Sequence, residues 1–203
     1  MSTAEQVLVS QELIEIISSF QGGVYQDMQR FRSKMCPIYN GFYDPSFICP
    51  QMKHTESILG PWFEKYGMPR VSKLLRYSLA MRRVLVQYAV YFGNVDLAAY
   101  LHREVNLLSY PEPLLDMAAL NNQATMLEFL HQIGHRGKTT MGLIWAVHRG
   151  HVQSVQFLVG VDDTIEETAR ANAVKIAHKA GYKSVVKILL STKCQRRPQA
   201  LHC

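Results

Sequence analysis

At 203 residues the chain is long enough for one domain or for one array of repeats with a cap. Its 48% apolar and 19% charged content places it among folded, soluble proteins. The formal charge of +6 is unevenly held: from Arg170 onward there are eight basic residues and no acid, while the rest carries 14 basic and 16 acidic residues.

The longest apolar run, Val84 to Phe92, is interrupted by Gln87 and is far shorter than the roughly 20 residues needed to cross a bilayer, so no membrane span is expected. The start, MSTAEQVLVSQELIEII, has no basic leader and carries Glu5, Glu12 and Glu15, which argues against a signal peptide. With no secretory signal, Cys36, Cys49, Cys194 and Cys203 are expected to be reduced thiols and the location cytoplasmic or nuclear.

In chain order, Val7 to Phe20 spaces Leu13, Ile16, Ile17 and Phe20 at helical intervals and stops at Gly22 and Gly23. A second helix is expected from Val24 to about Met35. The stretch CPIYNGFYDPSFICP, Cys36 to Pro50, reads as an ordered loop packed through Ile38, Tyr39, Phe42, Tyr43 and Phe47, because leaving those side chains in water is costly. Residues 1–56 together are expected to form a helical N-terminal cap.

From there a frame recurs. Around Gly150 it places Leu143, Trp145 and Ala146 before the turn and His151, Val155 and Leu158 after it. Around Gly93 it gives Val86, Tyr88, Ala89, Asn94, Leu97 and Leu101, and around Gly181 Val174, Ile176, Ala177, Tyr182, Val185 and Leu189. Leu115, Met117, Ala118, Gln123, Met126 and Leu130 keep the spacing around Asn122, a residue that also tolerates a left-handed backbone. A looser copy at Gly67 has Trp62, Val71 and Leu75 in frame but Phe63 in place of the alanine. Each frame reads as two short amphipathic helices hinged at the turn residue, and a hairpin that small needs neighbours to bury its apolar face. Breaks between helices are expected near Gly60-Pro61, Met68-Pro69, Tyr110 to Pro113, Gly134 to Thr140 and Gly160 to Thr164. Asp162, Asp163, Glu166 and Glu167 suit the positive start of the next helix.

The sequences AVHRGH, Ala146 to His151, and AVYFGN, Ala89 to Asn94, resemble the second half of the ankyrin repeat, A-A-x-x-G-H followed by an amphipathic helix. The likeness covers about two thirds of the chain and is to the degenerate, short-period form of the family. The turn residues Gly67, Gly93, Asn122, Gly150 and Gly181 are 26, 29, 28 and 31 positions apart, against a family period of about 33, and the T-P-L-H opening is absent from every unit. The resemblance implies an all-α, ankyrin-like helical solenoid of four to five short repeats over residues 57–192, with the cap at 1–56 and a basic C-terminal tail at 193–203. It implies short projecting loops as well.

Chemical motifs are lacking. GHRGKTT, Gly134 to Thr140, departs from a P-loop because Gln132 stands where the first glycine belongs and a helix rather than a strand precedes it. Gly134 is instead expected to close a helix, with Thr139 or Thr140 capping the next. His131 with His135 and His148 with His151 have metal-like spacing, but no cysteine pair accompanies them. Neither a nucleophile motif nor paired catalytic carboxylates are present, so the chain is read as a non-enzyme without cofactor or metal. The resemblance makes His151 a structural histidine bonded to neighbouring loops.

In the ankyrin family the two residues before each turn line the concave groove that holds protein partners. Carried over, these are Lys65 and Tyr66, Tyr91 and Phe92, Leu120 and Asn121, His148 and Arg149, and Lys179 and Ala180. Of them, Tyr66, Tyr91, Phe92, Asn121, His148, Arg149 and Lys179 are the candidate partner-binding residues for another protein, with a monomer expected. Lys175, Lys179, Lys183 and Lys187, four apart in two pairs, form a second candidate surface for nucleic acid, although base-stacking aromatics are scarce beside them. Val9 to Phe20, with Glu12, Leu13, Ile17 and Phe20 in register, loosely resembles the first helix of an F-box, which implies docking on a ubiquitin-ligase scaffold. The proline that precedes the F-box pattern is absent here.

Overall fold

The computed structural model describes residues 10–20, 25–39, 44–110, 113–135, 139–161 and 165–191. The N-terminal residues 1–9, the aromatic pair Phe42 and Tyr43, the acids Asp162 and Asp163, and the tail at 193–203 lie outside the described residues. Those described are helical and contain no strand. No helix among them is long and apolar enough to cross a membrane. Two compact units are formed, one from residues 1–37 and 53–84, the other from 38–52 and 85–203.

The first unit holds helix α1 (Gln11–Phe20), a 3-10 turn (Gln26–Met28), α2 (Phe31–Lys34), most of α3 (Pro45–Tyr66), α4 (Val71–Tyr77) and the start of α5 (Leu79–Phe92). The helix expected from Val24 to Met35 is thus two short pieces, interrupted at Gln29 and Arg30. Its core is built on Met28, Phe31, Leu59, Trp62, Val71 and Leu74, with the Phe31 and Trp62 rings edge to face at 5.8 Å. Asp27 ties the turn down: its carboxylate accepts two bonds from the Arg70 guanidinium, at 2.9 and 3.2 Å, and one from the Trp62 indole N–H at 3.1 Å. Burial alone would raise the Asp27 pKa, but these bonds and the Arg70 charge hold it below the ordinary carboxylate value.

Helix α3 corrects two expectations. It begins at Pro45, inside the stretch read as loop, and runs unbroken through Gly60-Pro61. An interior proline costs about 3 kcal/mol. The stripe Ile48, Met52, Thr55, Leu59 and Trp62 recurs at helical spacing and is buried throughout, and each large apolar side chain buried returns about 1.5–3 kcal/mol. Burial outweighs the lost hydrogen bonds.

The second unit contains α6 (Val95–Val105), α7 (Leu114–Leu120), α8 (Ala124–Gln132), α9 (Thr140–His148), α10 (Val152–Val161), α11 (Glu167–Lys179) and α12 (Lys183–Ser191), besides the start of α3 and the end of α5. Five of its turns share one construction: at Gly134 (φ +82°) the N–H donates to the His131 carbonyl and the His135 N–H to the Leu130 carbonyl, and the other four stand in the repeating frame. At Gly93, Asn122, Gly150 and Gly181 the backbone has φ between +55° and +77°. The turn residue donates its N–H to the carbonyl three before it, and the next residue donates to the carbonyl of Ala89, Ala118, Ala146 or Ala177. This is the Schellman closure, in which a left-handed residue satisfies the last carbonyls of a helix. The framed alanine therefore has two roles, as acceptor of the closing bond and as a small side chain that is at most 1% exposed. Gly67 is built differently: its N–H keeps the helical bond to Phe63, and a 3-10 turn (Met68–Arg70) follows.

Helices pack in a regular succession. Helix α9 lies against α7 and α11; α8 lies against α6 and α10; α10 also meets α12; and α7 with α8, α9 with α10, and α11 with α12 form hairpins. Successive turns interlock as well. The Gln123 side chain covers Gly93, the His151 ring nitrogen Nδ1 is 3.3 Å from the Ala119 carbonyl, and the Tyr182 ring covers Gly150. The Ser154 hydroxyl, fully buried, donates to Asn122 Oδ1 at 3.1 Å.

Thr139 occupies the cap position of α9, but no side-chain capping bond is made there. The buried Asp116 carboxylate, from the preceding hairpin, accepts the Gly142 N–H at 2.8 Å in the first turn of α9. It satisfies an otherwise open donor and opposes the positive end of the helix dipole.

Candidate functional site

The candidate residues separate into exposed and packed sets. His148, Arg149 and Lys179 are exposed at the ends of α9 and α11. Phe92 and Asn121 are half-buried, and Tyr91 is only 5% exposed. Leu120, placed in the groove by the family pattern, is fully buried and belongs to the core. Tyr66 lies in the first unit, half-buried, with its ring 5.6 Å from that of Trp62 and the Lys65 ammonium 5.3 Å from its centroid.

Tyr91 does not offer a free hydroxyl. Burial, and next a hydrogen bond with the Cys49 thiol, push its pKa well above the ordinary phenol value, so it keeps its proton at physiological pH. Its ring stands edge to face with Phe92 at 5.0 Å. Its backbone carbonyl accepts the Asn121 amide N–H at 2.9 Å, which joins the ends of α5 and α7.

Arg149 reaches the same cysteine from the other side. Its Nη2 donates to Cys49 Sγ at 3.1 Å across 100 residues of sequence. The end of α5, the first turns of α3 and the end of α9 thus bring together a phenol, a thiol and a guanidinium. Cys49 is half-buried and forms no disulfide among the described residues. Nothing in the sequence marked it, because its partners are set by the fold rather than by spacing. Asp116 and Gly142 were missed for the same reason, although a lone acid in LLDMAAL is a visible anomaly in a buried helix.

The phenol stays protonated, and among the described contacts no base adjoins the thiol. Its accessible chemistry is the Arg149 guanidinium, with donors to spare, flanked by His148 and, on the neighbouring helix, Lys179. His151, beside it in sequence, has its pKa lowered by burial, with the Arg149 charge acting in the same direction and the Ala119 carbonyl bond opposing it.

The second candidate surface is also exposed. Lys175 and Lys179 on α11, and Lys183 and Lys187 on α12, all face solvent.

No protein-family model matches the chain, and comparison with curated proteins finds no relative.

Proposed function

We propose that this chain is a non-enzymatic protein-interaction module: an ankyrin-like solenoid of short-period helical hairpins that holds a partner protein along the edge formed by the residues before its turns. The observation that carries the reading is the succession in the second unit, where each hairpin packs on the one before it and the turns at Gly93 and Gly150 are covered by Gln123 and Tyr182, the residues following the next turns. Stacked hairpins of this kind give a rigid, extended surface, which is the usual means of recognition in repeat proteins. His148 and Arg149 are its exposed, recognition-capable members, and Arg is favoured at binding hot spots.

The test is a quantitative affinity capture from the native cell with the tagged chain and with a His148→Ala, Arg149→Ala variant. Both residues are exposed, so the variant's thermal unfolding should match the parent's, while one or more captured proteins should be depleted about tenfold or more, the range of a single hot spot. A variant that captures the same proteins at the same level refutes the assignment.

A second reading is favoured by α1. Leu13, Ile14, Ile16 and Ile17 are 39% to 50% exposed on this short helix, with Glu12 and Glu15 beside them. Such a face suits docking on a partner's apolar groove, in line with an F-box-like adaptor. The chain and a Leu13→Glu, Ile17→Glu variant should then differ in recovering ubiquitin-ligase scaffold proteins; equal recovery, or none, removes this reading.

A further inference from the structure

We infer that the edge around Arg149 receives an acidic peptide segment, with a partner carboxylate docking on the Arg149 guanidinium. This rests on the reading of that edge as the binding surface and adds the chemistry of what it holds.

The edge is cationic. The exposed polar side chains before the turns of α9 and α11 are His148, Arg149 and Lys179, and none is acidic. These two helices pack side by side, and the Tyr182 ring lying over Gly150 brings their ends together. Asp116 on α7 is buried and bonded to the Gly142 N–H. No described carboxylate forms an ion pair with Arg149.

A guanidinium carries five N–H donors in a planar fork. Here one of them is bonded, and its acceptor is a cysteine sulfur, a weak one. The sulfur is itself held by the buried Tyr91 hydroxyl. Arg149 is therefore exposed yet tethered, so a ligand meets a partly ordered fork rather than a freely rotating side chain. Ordering a long side chain on binding costs free energy, part of which is already met. A carboxylate offers two strong acceptor oxygens to such a fork.

Fluorescence polarisation of the full chain with two probes tests this: a short labelled helical peptide with glutamates along one face, and the same peptide with glutamine at those positions. The glutamate peptide should bind at least tenfold tighter. Arg149→Gln should remove about tenfold of that affinity, the scale of one charged hydrogen bond, with helicity unchanged by circular dichroism. Lys183→Gln with Lys187→Gln should change it less than about twofold, since that pair lies on another helix and tests general attraction to a basic protein. In a parallel measurement, saturating glutamate peptide should slow alkylation of Cys49, read by peptide mapping, while the glutamine peptide should not.

Equal affinity for the two probes, or no binding of either, overturns the inference. So does binding that survives Arg149→Gln but is lost with the lysine pair. The partner-capture test above is independent of peptide charge: if it succeeds while the glutamate preference fails, the edge is a binding surface for a different chemistry.

Discussion

Two histidines in the second unit sit in environments that disfavour their charged forms. His135 is 7% exposed, its Nδ1 has no hydrogen-bond partner among the described residues, and burial lowers its pKa. His151 is lowered in the same direction, mainly by burial. An unfolded histidine titrates near 6.5, so as pH falls through that value the unfolded chain takes up protons before the folded one does. Stability should therefore be level above about pH 6.5 and should decline below it, until the folded histidines are protonated in turn. Urea unfolding midpoints measured across this range should show the decline, and a His135→Gln, His151→Gln variant should flatten it, with glutamine at 151 still able to donate to the Ala119 carbonyl. An unaltered slope in the double variant would place the pH sensitivity elsewhere. At this scale the sequence was partly legible. His151 was expected to bond to a neighbouring loop, from a resemblance that fixed its position; its ring instead reaches the Ala119 carbonyl in the last turn of helix α7. The Asp116 to Gly142 cap was not foreseen, since a Cβ at 142 would lie 2.9 Å from the Asp116 Cα and 2.6 Å from its carboxylate oxygen, a closeness between helices that no local pattern encodes.

The elements were legible where their cause is local. A positive φ favours glycine or asparagine, and the four framed turns have alanine four places earlier, where Gly134 has Leu130; both leave marks in one stretch of sequence. The four framed Schellman turns of the second unit fall where those marks are, and the fifth falls at Gly134, where the glycine alone marks it. Helix α3 was misread because the cause there is tertiary: Pro50 and Pro61 signal breaks, and only the buried stripe from Ile48 to Trp62 overrules them. The turns also differ in what surrounds them, and this gives a prediction. Gly181 faces open space at φ +77°, whereas a Cβ on Gly150 would stand 3.0 Å from the Tyr182 ring at φ +69°. Gly181→Ala should cost only the left-handed backbone penalty, about 1–2 kcal/mol. Gly150→Ala should cost more, because the tyrosine ring must move as well. Adding Tyr182→Ala to Gly150→Ala should remove that excess, a coupling that a double-mutant cycle measures directly. Equal costs at the two glycines would show that the Tyr182 ring yields freely and that the turns are not interlocked.

Over the whole second unit, the decisive question is whether hairpins supported only by their neighbours unfold as neighbours or as one core. Leu189 on α12 is fully buried, and Leu189→Ala should cost about 2–5 kcal/mol. Helix α12 packs against α11 and α10, and α11 against α9. In a nearest-neighbour stack the loss stays close to its origin, since stability is a sum of units and interfaces. Native-state hydrogen exchange of the variant should then show amide protection falling most in α11 and α12, less in α9 and α10, and little in α7 and α8. The terminal hairpin is suited to be the weak end: Lys175, Lys179, Lys183 and Lys187 all face solvent, as the capping unit of an array requires, and like charges without acids between them add mutual repulsion. Protection lost equally from Leu114 to Ser191 would instead mean that these helices share a single cooperative centre. The edge around Arg149 would then be one patch on a globular surface rather than part of an extended row, and a partner would be expected to contact it locally, without reaching Lys179 and Asn121 together.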